Sequence, residues 1–136
     1  MPKFTQPIIN NKLLAGAFVS ADDNNTTINM INVRVLFDTG ATKSCITQKI
    51  VKQLKLKPFG KVNMVSASNV VPSNLYRIKI AFPFPTSEKN SIRIEMVKEL
   101  EVMETINSDS FDIIIGMDII HKGLLIVSDN IFTFSL

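Results

Sequence analysis

The sequence is poor in the residues that most often build metal centres and nucleophilic active sites. It contains one cysteine, Cys45, and one histidine, His121. A single cysteine excludes an intramolecular disulfide and favours a reducing compartment, and a single histidine excludes a cluster of histidine ligands. No Cys-x-x-Cys pair, His-Glu-x-x-His motif or glycine-rich phosphate loop is present. We therefore expect neither a metal ion nor any other cofactor.

Both of these single residues have a simple structural interpretation. Because no Cys-His arrangement supports a nucleophilic thiol, Cys45 is predicted to be a small buried residue on a helix. His121 follows a predicted helical turn, where a cation or a cap is a sufficient account of it.

Long hydrophobic runs are also missing. The N-terminus shows no signal-peptide pattern, because Lys3 and Phe4 lead into polar residues and proline. The longest apolar stretch, residues 113–120, is interrupted by Gly116 and Asp118 and falls short of the roughly 18 residues that a membrane helix needs. We expect no membrane partner, and either a cytoplasmic protein or a domain released from a larger polyprotein.

Acidic residues are absent from residues 43–61, although the net charge of the whole chain is only +3. Such a basic segment raises the possibility of a nucleic-acid partner. It lacks the arginines and interleaved aromatics that phosphate and base contacts favour, so we interpret it as a solvated helix face and expect no nucleic-acid partner. Its lysines are Lys43, Lys49, Lys52, Lys55, Lys57 and Lys61.

The remaining pattern predicts one mostly β domain over residues 1–136. Apolar residues make up 46% and charged residues 20%, which is ordinary for a globular protein. Alternating or short apolar runs predict three hairpins, and further strands at 92–96 and 111–115. Residues 83–90 and 107–110 are predicted loops. Residues 97–106 fit both a strand and a helical stripe, and we favour a strand for the first half. The hairpins are predicted at 13–19 with 28–37, 62–66 with 76–82, and 124–127 with 131–134.

One main helix and one short helix are predicted within this β framework. Apolar residues recur at helical spacing from Ile46 to Leu54. Thr47 is the expected capping residue, and Pro58 with Gly60 ends the helix. A short helical turn is predicted at 117–121.

The most informative motif is Asp38-Thr39-Gly40, which directly follows the apolar run 33–37. A carboxylate at the end of a buried strand is costly unless it has a task, because desolvation disfavours its charged form. Two further features follow in order: a hairpin within residues 62–82, and the strand, glycine and turn of residues 113–120. Together they resemble the retropepsin-like aspartic peptidases of the retroviral, single-domain type, over roughly the whole chain.

This resemblance implies a small closed β-barrel that acts as a homodimeric aspartic endopeptidase on a peptide or protein substrate. Hydrolysis by water needs a base and an acid, and two carboxylates that share one proton supply both. The chain has one Asp-Thr-Gly, so the second carboxylate comes from a second copy. Catalytic Asp38 would meet its symmetry mate at the two-fold axis.

The resemblance also implies roles for the neighbouring residues. Thr39 would hydrogen-bond across the two-fold axis, and Gly40 would let the backbone approach the carboxylate. Gly116 would allow close packing behind the loop, and Ala41 would lie near the substrate backbone. The hairpin would act as a flap over the substrate.

Two parts of the chain depart from the family pattern or extend it. The hairpin has no glycine between Gly60 and Pro83, whereas family flaps usually carry one near the tip. Ser68 and Asn69 are the expected substrate-binding substitutes, since asparagine tolerates a positive φ. At the C-terminus, Phe132, Phe134 and Leu136 are expected to join a sheet between subunits.

Two alternatives remain open at this point. The chain could be a retropepsin-like dimerisation or peptide-binding domain without catalysis, or a nucleic-acid binder that uses its lysine segment. Asp118 is interpreted as a capping or surface residue rather than as a second catalytic acid.

Overall fold

The computed structural model describes residues 2–22, 29–65 and 70–136, and in these ranges the chain is built mainly of β-strands. One helix of seven residues and one of four accompany the strands, as predicted. The elements are β1 Lys3–Pro7, β2 Leu14–Ala21, β3 Ile31–Phe37, β4 Cys45–Thr47, α1 Gln48–Leu54, β5 Gly60–Val65, β6 Val70–Pro85, β7 Ile92–Thr105, β8 Ile113–Ile115, α2 Met117–Ile120, β9 Leu124–Ser128 and β10 Ile131–Ser135.

Six of these strands form a closed barrel. Their order is β2-β3-β8-β4-β7-β6, and an additional pairing of β2 with β6 closes the ring. The β3–β8 and β4–β7 pairs are parallel, whereas the others are antiparallel. Among the described strands, β5 pairs only with β6 and extends from the barrel as a hairpin arm. The small closed barrel expected from the sequence is therefore confirmed.

A second, three-stranded sheet in the order β1-β10-β9 packs against the barrel through phenylalanine rings. Phe134 of β10 lies with its ring centroid 4.7 Å from that of Phe37, and Phe4 of β1 stacks on Phe84 at 5.4 Å. Aromatic pairs at such distances add to the free energy gained from burying their area. The phenylalanines thus join the two sheets into one core.

The β10 strand lies in the middle of this second sheet, with β1 on one edge and β9 on the other. The rings of Phe132 and Phe134 are fully buried in the chain's own core. A strand from a second copy could therefore pair only with an edge strand, β1 or β9, and not with β10 itself. The side chains of Phe132 and Phe134 are not available for contact with a partner.

The three predicted hairpins are present as antiparallel pairs, β2–β3, β5–β6 and β9–β10, but in the second one β5 pairs with residues 70–75 of β6 rather than with the predicted 76–82. Residue 28, the first of the predicted strand 28–37, and residues 66–69 at the tip of the second hairpin lie outside the described residues. The predicted loop at 83–90 is partly wrong, because β6 continues to Pro85. β2 pairs with β6 only at residues 78–81, so Pro83 and Pro85 pair with β7 alone, an edge position where a missing N–H donor is tolerated.

β7 runs through the whole ambiguous segment to Thr105. The strand favoured for the first half of residues 97–106 is confirmed, and the helical alternative is wrong for a local reason. Between the pairs Ile78–Leu100 and Ile80–Val97, two residues of β7 lie opposite one residue of β6. Glu99 within this bulge has a left-handed φ of 54°. Because a bulge shifts the inward–outward alternation by one residue, the apolar spacing imitates a helix.

Several local predictions around β4 are corrected. Cys45 is buried but lies in strand β4, and Ile46 also belongs to β4 rather than to the helix. Thr47 occupies the N-cap position of α1, yet its side chain makes no capping bond. Its buried hydroxyl has no hydrogen-bond partner among the described residues.

Strand β1 was missed, since its pairing with β10 joins opposite ends of the chain. Neither helix in the described ranges is long and apolar enough to cross a membrane.

Candidate active site

Asp38 stands at the point where β3 leaves the barrel. Phe37 is buried at the end of the strand, and the Asp38 N–H donates to the carbonyl oxygen of Ile115 at 2.9 Å. The Asp38 side chain is half-buried, so one end of the residue is fixed by the barrel while its carboxylate remains accessible. A carboxylate held in this way can accept a proton from a water molecule or share one with another acid.

The backbone of Gly40 folds back onto this carboxylate. Its N–H donates to Asp38 Oδ1 at 2.9 Å, and a Cβ added to Gly40 would lie 3.2 Å from the same oxygen. The sequence therefore places a small residue where the loop must approach the carboxylate closely.

Gly116 forms the floor beneath the Asp38 loop, which we define as residues 38–44. A Cβ at Gly116 would lie 2.7 Å from the carbonyl oxygen of Ala41 and 2.9 Å from the carbonyl carbon of Lys43. The next residue, Met117, donates its N–H to the same Ala41 oxygen at 2.8 Å. The loop is thus docked, backbone against backbone, on the start of α2.

Asp118 secures the other end of the Asp38 loop. Its Oδ1 accepts a hydrogen bond from Ser44 Oγ at 2.7 Å, and its Oδ2 accepts one from the Ser44 N–H at 2.9 Å. Ser44 Oγ in turn accepts the Gly116 N–H at 3.0 Å. Asp118 lies in the first turn of α2, where its Oδ1 also accepts the Ile119 N–H at 3.0 Å, so the capping role expected from the sequence is present. The sequence did not predict its hydrogen bonds to Ser44, because no local signal pairs residues 74 positions apart.

The structure brings together Asp38, Gly40, Ala41 and Gly116 of the residues predicted from the sequence. Thr39 lies exposed at the outer side of the loop. Ser68 and Asn69 lie outside the described residues. Ser44 and Asp118 are the two members of the site that sequence reasoning did not assign to it.

The remaining single residues make no second centre. Burial raises the pKa of Cys45 from 9.0 to about 11, and the negative charges of Asp118 and Asp38 act in the same direction. The thiol therefore stays protonated at neutral pH and is a poor nucleophile. His121 is exposed, with Nδ1 2.6 Å from the carbonyl oxygen of Met117 at the end of α2. In the described residues, His, Cys, Asp and Glu form no group of three that could hold a metal ion.

We predict that Gly116→Ala lowers the free energy of unfolding by about 1–3 kcal/mol, because the new methyl group meets backbone atoms that cannot rotate away. Gly16→Ala is the matched control, since a Cβ at that position meets nothing within 4 Å. Urea denaturation of both variants measures the difference. Equal effects of the two substitutions would contradict the proposed close packing beneath the loop.

Comparison with known proteins identifies a family. The family described as aspartyl protease matches residues 25–119, a stretch that includes both the Asp38 loop and Gly116. The comparison with curated proteins finds no match.

Two known structures resemble the fold. A retropepsin-like aspartic protease from Rickettsia conorii superposes with a TM-score of 0.64 at 16% sequence identity, covering 97% of this chain and 89% of the other. The EIAV protease in complex with the inhibitor HBY-793 gives a TM-score of 0.49 at 16% identity, covering 84% and 89%. Because the family match spans more than half of the sequence and the first superposition spans nearly all of it, the chain belongs to the aspartyl protease family and has the retropepsin-like fold.

Proposed function

We propose that this chain is an aspartic endopeptidase that works as a homodimer, with Asp38 of each copy supplying one of two catalytic carboxylates. The observation that carries this proposal is the position of Asp38. Asp38 is half-buried at the end of β3, and its carboxylate accepts a hydrogen bond from the Gly40 N–H. The loop that carries it packs closely on Gly116. Membership of the aspartyl protease family supports the same chemistry.

The proposed reaction needs no covalent intermediate. Two carboxylates about 3 Å apart cannot both be ionised, so the pair holds one proton. The ionised Asp38 takes a proton from water as the water oxygen attacks the peptide carbonyl carbon. The protonated Asp38 of the other copy gives its proton to the leaving nitrogen as the C–N bond breaks, which yields a carboxylic acid and an amine and leaves the pair again with one proton. Since activity requires the singly protonated pair, it is expected to fall at pH values where the pair gains or loses a proton.

The neighbouring residues are assigned supporting roles in this proposal. Thr39 is exposed and therefore available to a second copy, so we assign it the contact across the two-fold axis. Ala41 is half-buried, donates its N–H to the main-chain carbonyl oxygen of Asp38 at 3.2 Å, and would face the substrate backbone. The β5–β6 hairpin would cover an extended peptide, and Ser68 and Asn69 would contact it. Main-chain pairing would bind the peptide, and pockets would select alternate side chains.

The second copy is expected to dock on the β9 side of the three-stranded sheet. Among the described residues, β9 pairs only with β10, so its outer edge is free for another strand. Three exposed apolar side chains lie together on this part of the sheet: Leu124 and Ile126 are each 49% exposed, and Ile131 is 44% exposed. Unpaired strand edges with apolar side chains are ready sites of association.

The position of β9 links this surface to the candidate active site. The start of α2 contacts the Asp38 loop through the hydrogen bond from the Met117 N–H to the Ala41 carbonyl oxygen. At the end of α2, the Ile120 carbonyl oxygen accepts the N–H of Gly123, the residue directly before β9. A partner bound to β9 would therefore approach the Asp38 loop, which a shared catalytic pair requires. A closed two-fold arrangement would give both copies the same environment.

We predict that Asp38→Asn abolishes peptide cleavage, with a loss of at least about 10²-fold, because an amide can act neither as base nor as acid. A mixed peptide library incubated between acidic and neutral pH, and read by mass spectrometry, measures it. The matched control is Asp109→Asn, at an exposed acidic residue of the loop before β8. Equal cleavage by wild type and Asp38→Asn would exclude the proposed carboxylate pair. Saturable peptide binding without cleavage would favour a binding domain instead.

We predict that Ile126→Lys weakens self-association, because it places a charge in the apolar surface that a second copy would bury. Analytical ultracentrifugation over a dilution series measures the dimer dissociation constant, and the cleavage rate should fall more steeply than linearly on dilution. The matched control is Ile92→Lys on β7, whose native side chain is 64% exposed outside this surface. Unchanged association of Ile126→Lys would show that the copies meet elsewhere.

A further inference from the structure

A row of charged and aromatic side chains leads from the Asp38 loop to the base of the β5–β6 hairpin. It consists of Lys43 in the loop, Glu101 on β7, Arg77 on β6, and Phe59 just before β5. We call these four residues the charged row. One end, Lys43, belongs to the Asp38 loop, and the other end, Phe59, lies at the base of the hairpin. Under the proposed function a peptide would lie between these two parts of the molecule.

Lys43 projects from a rigid part of the loop. Its neighbour Ser44 is held by Asp118, and the Lys43 carbonyl oxygen accepts a bond from Cys45 Sγ at 3.6 Å. The side chain is 33% exposed, and Nζ lies 3.2 Å from Glu101 Oε2. The main chain of Lys43 is therefore fixed, while its ammonium group remains accessible from solvent.

Glu101 is shared unequally between two cations. Its register partner on β6 is Arg77, whose Nη2 lies 3.9 Å from Glu101 Oε1, compared with 3.2 Å for the contact to Lys43. The Arg77 guanidinium in turn lies over the ring of Phe59, with Cζ 4.0 Å from the ring centroid. The Phe59 N–H donates a hydrogen bond to the Leu75 carbonyl oxygen at 3.0 Å, which anchors Phe59 to β6. The row thus spans loop, barrel and hairpin.

The row carries two positive charges and one negative charge, so it attracts an additional anion. Ion pairs exposed to this extent contribute only about 0–1 kcal/mol, which makes the Glu101 contacts easy to exchange for others. The long Arg77 contact leaves that guanidinium free to take a second carboxylate, and the planar guanidinium binds carboxylates in two-point geometry.

We propose that the enzyme selects peptides with a glutamate or aspartate side chain at one position flanking the scissile bond, where that carboxylate binds between Lys43 and Arg77. This inference rests on the proposed function and deepens it by naming a substrate class. In an extended peptide alternate side chains point to the same side, so one position near the cleaved bond faces the charged row of a given copy while its neighbours point away.

The test uses pairs of peptides built around a cleavage site found in the library, identical except for glutamate or glutamine at one position at a time. We expect kcat/KM to favour glutamate by roughly threefold to tenfold at one position. The preference should weaken with added salt, since half-exposed charges are screened. Comparing the two peptides within each variant removes any change in overall activity.

Variants assign this preference to the charged row. Lys43→Met should remove most of it, Lys43→Glu should favour lysine over glutamate, and Glu101→Gln should increase it because the competing carboxylate is gone. The control Lys98→Met, at an exposed lysine of β7, should leave the preference unchanged. Cleavage without an acidic preference, or a preference that survives Lys43→Met, would overturn this inference while the protease function stands. No cleavage of any peptide would overturn the proposed function, and this inference with it.

Discussion

The close approach of the Asp38 loop to the start of α2 is the constraint on which the candidate site depends. Gly116 allows it, since any side chain there would collide with the backbone at Ala41. Ser44 and Asp118 then lock the far end of the loop with charge-assisted hydrogen bonds. The β3 and β8 strands beneath supply a rigid base, so the carboxylate of Asp38 is held by the barrel rather than by the loop alone.

A single chain of this design holds one such carboxylate, and water-mediated peptide hydrolysis needs a base and an acid together. The proposed function therefore makes the surface of β9 as important as the site itself. The same α2 segment serves both, because its start supports the Asp38 loop and its end leads into β9. Under the proposed function, site formation and association would be linked through one short stretch of chain.

The sequence predicted the elements whose signals are local. The motif around Asp38, the three hairpins and the helix after β4 follow from apolar spacing and turn residues. What it missed depends on contacts between distant residues. β1 exists only because β10 pairs with it, and Asp118 belongs to the site only because Ser44 reaches it. The bulge at Glu99 changed the alternation of β7 and imitated a helix. Such features need the assembled barrel, which one sequence does not display.

The most direct test of a shared site mixes wild-type subunits with Asp38→Asn subunits at a fixed total concentration well above the dimer dissociation constant. If both carboxylates are needed, only wild-type pairs cleave, and an equal mixture retains about one quarter of the wild-type rate after subunits exchange. The rate should follow the square of the wild-type fraction. A rate that falls in direct proportion to that fraction would show that each copy acts alone, and would contradict the account.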